Sequence, residues 1–185
     1  MKNNISHKGE YMSALSAHIL SEVAAFRALT GMTGQSNTVH ECLYASESIE
    51  LLTATEQHKR ADAFADMAVV MAGHYLDGTP FYDFEKAILG LVNQTVLNGI
   101  YLPASFSIVM ESNFTKVCAE EFIQLTNEKY LAEGVGLTWL QTRGMWACFS
   151  AFDMPDKPKG KLLKPVTYKA PDWSGDSWLI RSAGV

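Results

Sequence analysis

The segment 61–75, A-D-A-F-A-D-M-A-V-V-M-A-G-H-Y, constrains the fold more than any other part of the chain. It lacks proline and is rich in Ala and Met, so it reads as a helix. Apolar residues occur all round the turn, which makes it a helix buried on most sides instead of a surface helix with one apolar stripe. Yet it carries Asp62 and Asp66 one turn apart. At about 100° per residue, Asp62, Asp66, Val69 and Gly73 share one narrow stripe. An unpaired buried carboxylate is expensive even after relaxation, so positive charge is expected opposite that stripe.

The rest of the chain reads as a mainly α protein: an antiparallel helical bundle with a small α+β C-terminal appendage. Helical spacing of apolar residues predicts further helices over 11–29, 39–55, 81–97, 103–115 and 119–133. Residues 30–37 read as a loop and 56–60 as a polar connection; Pro80 suits the first position of the next helix, and Asn98-Gly99 its close. Strands are expected at 137–141 and 145–152 around T-R-G, with a third short strand at 161–163 and an irregular but packed tail. The bundle should occupy 1–117; residues 118–185 should form a helix plus β-hairpin appendage whose tail folds back on it.

The helix at 39–55 repeats the oddity of 61–75. Leu43, Glu47, Glu50, Leu51 and Ala54 share a face, so two acids sit in an apolar stripe. Glu47 and Glu50 facing Asp62 and Asp66 across a short connection would put four carboxylates between adjacent helices. Hard divalent cations take such oxygen donors, and Mg²⁺ keeps several waters while sharing its shell with substrate phosphates. The competing reading is that these acids pair with Lys or Arg or point to solvent.

Composition narrows the classes. With 15 Lys and Arg against 20 Asp and Glu, the net charge of -5 argues against binding a nucleic-acid polymer, which needs clustered basic residues. Cys42, Cys118 and Cys148 are odd in number and widely spaced, which fits reduced, buried thiols in the cytoplasm. The polar N-terminal stretch has no signal-peptide core, and no run of about 18 apolar residues predicts a membrane span.

Three segments then carry a resemblance. E-S-I-E-L-L from Glu47 and A-D-A-F-A-D ending at Asp66 resemble the ExxE…DxxxD pattern of the all-α nucleoside triphosphate pyrophosphohydrolases, the MazG-like and phosphoribosyl-ATP pyrophosphohydrolase-like superfamily. E-S-N-F-T-K, ending at Lys116, resembles that group's S-N-x-[ST]-K segment. G-K-L-L-K-P-V-T-Y-K-A-P-D-W, from Gly160, resembles the G-K-x-x-K tail of one branch, with its following Tyr, Pro and Asp. The resemblance covers most of residues 20–173 and includes a helix-plus-hairpin insert between the last two segments.

It implies Mg²⁺-dependent hydrolysis, with Mn²⁺ as a substitute, of a nucleoside triphosphate between the α and β phosphates. Glu50, Asp62 and Asp66 would bind metal, and Glu47 would be a ligand or the base that orients water. Asn113 and Lys116 would bind phosphate or sugar, with Lys164 and Tyr168 reaching the same site from the tail. A homodimer or homotetramer in the cytoplasm is implied too. Two departures stand out: Lys59 occupies a position where relatives often carry a third acid, for which Glu56 could substitute, and the helix at 81–97 is an extra element. Two other functions are therefore weighed, a nucleotide-binding or regulatory module with weak catalysis and a structural helical oligomer.

Blander readings apply elsewhere. Lys161, Lys164 and Lys169 taken alone read as solvated charges, and Trp139, Trp146, Trp173 and Trp178 as appendage core. His74 reads as a hydrogen-bonded core histidine, and Arg143 as a surface turn residue.

Overall fold

The computed structural model describes residues 3–78, 83–154 and 157–180. In chain order these form α1 (Asn3–Thr30), α2 (Asn37–Thr53), α3 (Gln57–Leu76), α4 (Phe84–Leu97), α5 (Leu102–Phe114), β1 (Val117–Cys118), a 3₁₀ turn (Glu120–Phe122), α6 (Ile123–Ala132), β2 (Leu137–Thr142) and β3 (Met145–Ser150). The protein is mainly α with a small antiparallel sheet towards the C-terminus, as expected. Among the described residues, one compact unit takes in those up to Ala24, Gly34–Met110 and those from Pro171 on; a second takes in Ala25–Thr33 and Glu111–Ala170.

The first unit is built round α3. From Ala61 through His74 no residue of this helix is exposed, in keeping with its all-round apolar character. Ala61, Ala65, Ala68 and Ala72, at three- and four-residue spacing, are fully buried, and such small side chains let neighbouring helices approach closely. Helices α2 and α4 both pack on α3. The start of α2 meets the end of α3, because His40 stacks on His74 and bonds Asp77, so the two run antiparallel. Met12, Leu15, Ile19 and Val23 give α1 a buried stripe, and Leu102, Phe106, Val109 and Met110 do the same for α5.

The tail closes this unit. Ile100 and Leu179 form an antiparallel bridge, the Tyr101 N–H donates to the Trp178 carbonyl at 2.7 Å, and the Ile180 N–H to that of Gly99 at 2.9 Å. Trp178 is buried, with Trp173 edge-on to it at 5.5 Å between ring centres. These two tryptophans therefore belong to the helical unit, not to the appendage core.

Four helix starts differ by several residues from the expectation. α1 begins at Asn3 instead of 11. α3 begins at Gln57, so His58, Lys59 and Arg60 are helical instead of a connection; only 54–56 links it to α2. Its polar first turn is exposed apart from half-buried His58, and Arg60 Nε ties it to the Ala54 carbonyl at 3.1 Å. α4 begins at Phe84, capped by Asp83, whose Oδ1 accepts from the Lys86 N–H. The expectation for Pro80 falls on residues 79–82, which lie outside the described ones. At α6 the 3₁₀ turn precedes the regular helix, because E-E-F tightens into i→i+3 pairing first.

The second unit is organised by a hairpin. β2 and β3 pair from Leu137 with Ser150 to Thr142 with Met145, leaving Arg143-Gly144 as a two-residue turn. Both have positive φ, 50° and 78°, as the type I′ turn of a right-twisted hairpin requires. The third strand is β1, whose Val117 and Cys118 pair with Ala147 and Trp146. The expected strand at 161–163 is only a single bridge, Leu162 with Phe149, further along the same edge of β3. Two residues, V-C, are too few to display an alternating pattern, which hid β1 in the sequence.

Tyr130, Val135, Cys148 and Leu163 form the core of this unit. Tyr130 Oη donates to the Lys164 carbonyl and accepts from the Lys164 N–H, both at 3.0 Å, which pins the tail segment to α6. Burial pushes the Cys148 thiol up to about 12 and raises that of Cys118, whereas Cys42 is exposed. The thiolate is the reactive form, so a thiol reagent at pH 8 should modify one cysteine in the native protein and three after denaturation. Peptide mapping should find the single adduct at Cys42; rapid labelling of Cys148 would contradict this packing. No helix among the described residues is long and apolar enough to cross a membrane.

Candidate metal and nucleotide site

Helix α2 starts at Ser36, whose Oγ accepts from the Val39 N–H. Its only buried residue is His40, so the acids lie on a helix that covers α3 with one side. Glu47 is half-buried and Glu50 exposed; on α3, Asp62 and Asp66 are half-buried. The antiparallel register follows from the stack of His40 on His74. At about 1.5 Å per residue, Glu47 and Glu50 lie roughly 10 and 15 Å along α2 from that stack, and Asp66 about 12 Å back along α3. By this measure Glu47 stands nearly level with Asp66, and Glu50 falls midway between Asp66 and Asp62, which lies one turn beyond.

Oxygens of this group are shut off from water. Glu47 Oε2 and Asp62 Oδ1 are buried and accept no hydrogen bond, although Glu47, Asp62 and Asp66 each have some interaction within the chain. Among the described residues, no three His, Cys, Asp or Glu side chains converge as a ready-made metal centre. Carboxylate oxygen is the donor type that Mg²⁺, a hard ion, takes together with waters and substrate phosphates. Desolvated carboxylate oxygens favour a bound cation for the same reason that they disfavour isolation.

Lys59 has a clear role. Its Nζ lies 2.6 Å from Glu56 Oε1, one turn before it and out in solvent. This hydrogen bond holds the Glu56 carboxyl below its ordinary range. Lys59 and Glu56 thus form an exposed ion pair at the start of α3.

A second set of candidates gathers inside the second unit. Asn113 is buried and Lys116 half-buried at the end of α5, where the Lys116 N–H donates to the Asn113 carbonyl at 2.9 Å. Ser112 Oγ donates to the Lys169 carbonyl at 2.8 Å and lies 3.0 Å from Tyr168 Oη. Thr115 Oγ1 accepts from the Lys169 N–H at 2.9 Å. Lys164 Nζ sits over the Tyr168 ring, 4.6 Å from its centre, a cation–π contact. The S-N-F-T-K turn and the tail tyrosine are thus neighbours, and Lys164 is a held cation instead of a loose one.

One polar cluster escaped the sequence reading. His40 and His74 stack with ring centres 4.6 Å apart and planes 15° from parallel. His40 Nε2 donates to Asp77 Oδ2 at 2.8 Å, and His74 Nε2 to Asn37 Oδ1 at 3.1 Å. His74 is thus the hydrogen-bonded core histidine expected of it. Its partner was hidden because His40 is the one fully buried residue of α2, with no local pattern linking the two. Comparison with protein-family models, curated proteins and solved structures finds no match to the chain.

Proposed function

We propose that the protein is an Mg²⁺-dependent nucleoside triphosphate pyrophosphohydrolase, cleaving between the α and β phosphates to release a monophosphate and pyrophosphate. The observation that carries this reading is the pair of acidic motifs, Glu47/Glu50 and Asp62/Asp66, on the antiparallel and directly packed helices α2 and α3. Glu50, Asp62 and Asp66 hold the metal through carboxylate oxygens. Glu47, half-buried among apolar neighbours, joins them or accepts the proton of the attacking water. When bound, the ion neutralises developing phosphate charge and lowers the pKa of its water. Lys116 and Lys164, the cations the resemblance assigns to phosphate, and Asn113 and Tyr168, assigned to sugar or base, all belong to the second unit. Cytoplasmic location and a homodimer or homotetramer belong to the same reading. Ile49 and Leu52 on α2, 61% and 85% exposed, are the apolar surface a second copy would cover.

The test is pyrophosphate release from a panel of canonical and modified triphosphates. Equimolar monophosphate and pyrophosphate are expected, abolished by EDTA and restored by excess Mg²⁺ or Mn²⁺. The Lys59–Glu56 pair favours a second reading, a nucleotide-binding or regulatory module of weak catalysis, because it removes one acid from the metal's reach. Nucleotide binding without turnover at micromolar protein would select that reading. Absence of both would leave a structural helical oligomer.

A further inference from the structure

We propose that the stacked His40–His74 pair, tied through Asp77 to the loop at Gly34–Gln35, is a pH-operated latch: a proton on His74 beside His40 opens the end where α2 begins and α3 ends. The parts are fully enclosed, with His40 1% and His74 0% exposed. Asp77 makes three bonds at once, accepting from the Gly34 N–H at 2.8 Å, the Gln35 N–H at 3.2 Å and His40 Nε2 at 2.8 Å. It therefore joins the loop before α2, the first turn of α2 and the end of α3. Since Asp77 and Asn37 Oδ1 accept from Nε2, each ring carries its neutral-state proton there, and a further proton must enter at Nδ1. On His40 that nitrogen is buried with no acceptor beside it.

The two rings differ in surroundings. His40 Nε2 lies 2.8 Å from the Asp77 carboxylate, which is thereby engaged with His40. His74 meets His40 face to face, with Tyr44 edge-on at 6.1 Å and Asn37 on its Nε2. Burial lowers the His74 pKa most and His40 lowers it further, while Asp77 and then Glu41 oppose this. A histidine held neutral in the fold but free to protonate when unfolded contributes stability above its ordinary value, near 6.5. That contribution is lost as pH falls below this value, by up to about tenfold in the folding equilibrium per pH unit. Opening would free the Gly34 and Gln35 amides first, since Asp77 is their acceptor.

Denaturant unfolding of the full chain between pH 8 and 5, compared with His74→Phe, tests the latch. Phenylalanine can stack on His40 but cannot titrate. The wild-type folding equilibrium should fall several-fold more between pH 7 and 5.5 than that of the variant; equal slopes would overturn the proposal. Should the variant not fold, histidine ¹⁵N NMR and amide exchange on the wild type decide. His74 should still be neutral at pH 6 in the folded state, and exchange at Gly34 and Gln35, corrected for intrinsic rate, should quicken as pH drops. A His74 ring that protonates near 6.5 with those amides equally protected throughout would refute it.

Discussion

Asp66→Asn is expected to lower Mg²⁺-dependent pyrophosphate release by on the order of 100-fold or more while leaving the helical content close to wild type. Asn has nearly the same shape as Asp, so a half-buried position on α3 tolerates it sterically. It removes the negative charge, and with it the affinity of a hard cation for that oxygen. By helical rise Asp66 stands nearly level with Glu47 across the α2–α3 contact, and Asp62, the other acid of the motif, lies a full turn further along α3. Steady-state release of pyrophosphate at saturating triphosphate, together with circular dichroism, reads the two effects separately. Normal turnover by this variant would mean that α3 does not carry the metal.

Phe106→Ala should destabilise the first unit by about 3–5 kcal/mol, the usual range for emptying a large aromatic site in a core. Phe106 is the largest fully buried side chain, and His18 of α1 meets its ring edge-on at 6.0 Å. Leu102, Val109 and Met110 line the same face of α5 and are buried, so the surroundings cannot easily collapse into the void. Urea denaturation of the variant should show this loss in the transition of the unit containing α3 and α5. A loss below about 1 kcal/mol would indicate a site loose enough to refill, contrary to close packing.

Much of this fold is legible in the residues. The segment round Ala61 is buried on nearly every side because its apolar residues leave no polar face, and that is a property of composition and period alone. The β2–β3 hairpin follows from a Thr-Arg-Gly turn between apolar runs. Errors cluster where local signals are short or ambivalent. Gln57 to Arg60 look like a polar linker, yet they are competent helix formers that extend α3 by one solvent-facing turn. β1 is invisible because two residues carry no period, and its pairing is created by β3. Trp173 and Trp178 look like appendage residues by position, but the backbone pairing of Tyr101 with Trp178 draws them to the helical unit.

The candidate site divides in the same way. The acids themselves, their spacing of one turn and their occurrence on two successive helices are written in the chain. That Asp66 stands nearly level with Glu47 is not; it depends on a register anchored at the far end of the helices by His40, His74 and Asp77. Lys59 is the sharpest case. As a letter it stood where an acid might have been, whereas in the fold it pairs with Glu56 one turn away. By itself the sequence determined the helices, the hairpin and the placing of four acids, because propensity and hydrophobic period act over a few residues. Only the tertiary structure decided the α2–α3 register, the third strand and the buried histidine stack, because each joins residues whose attraction is felt only after the chain has brought them together.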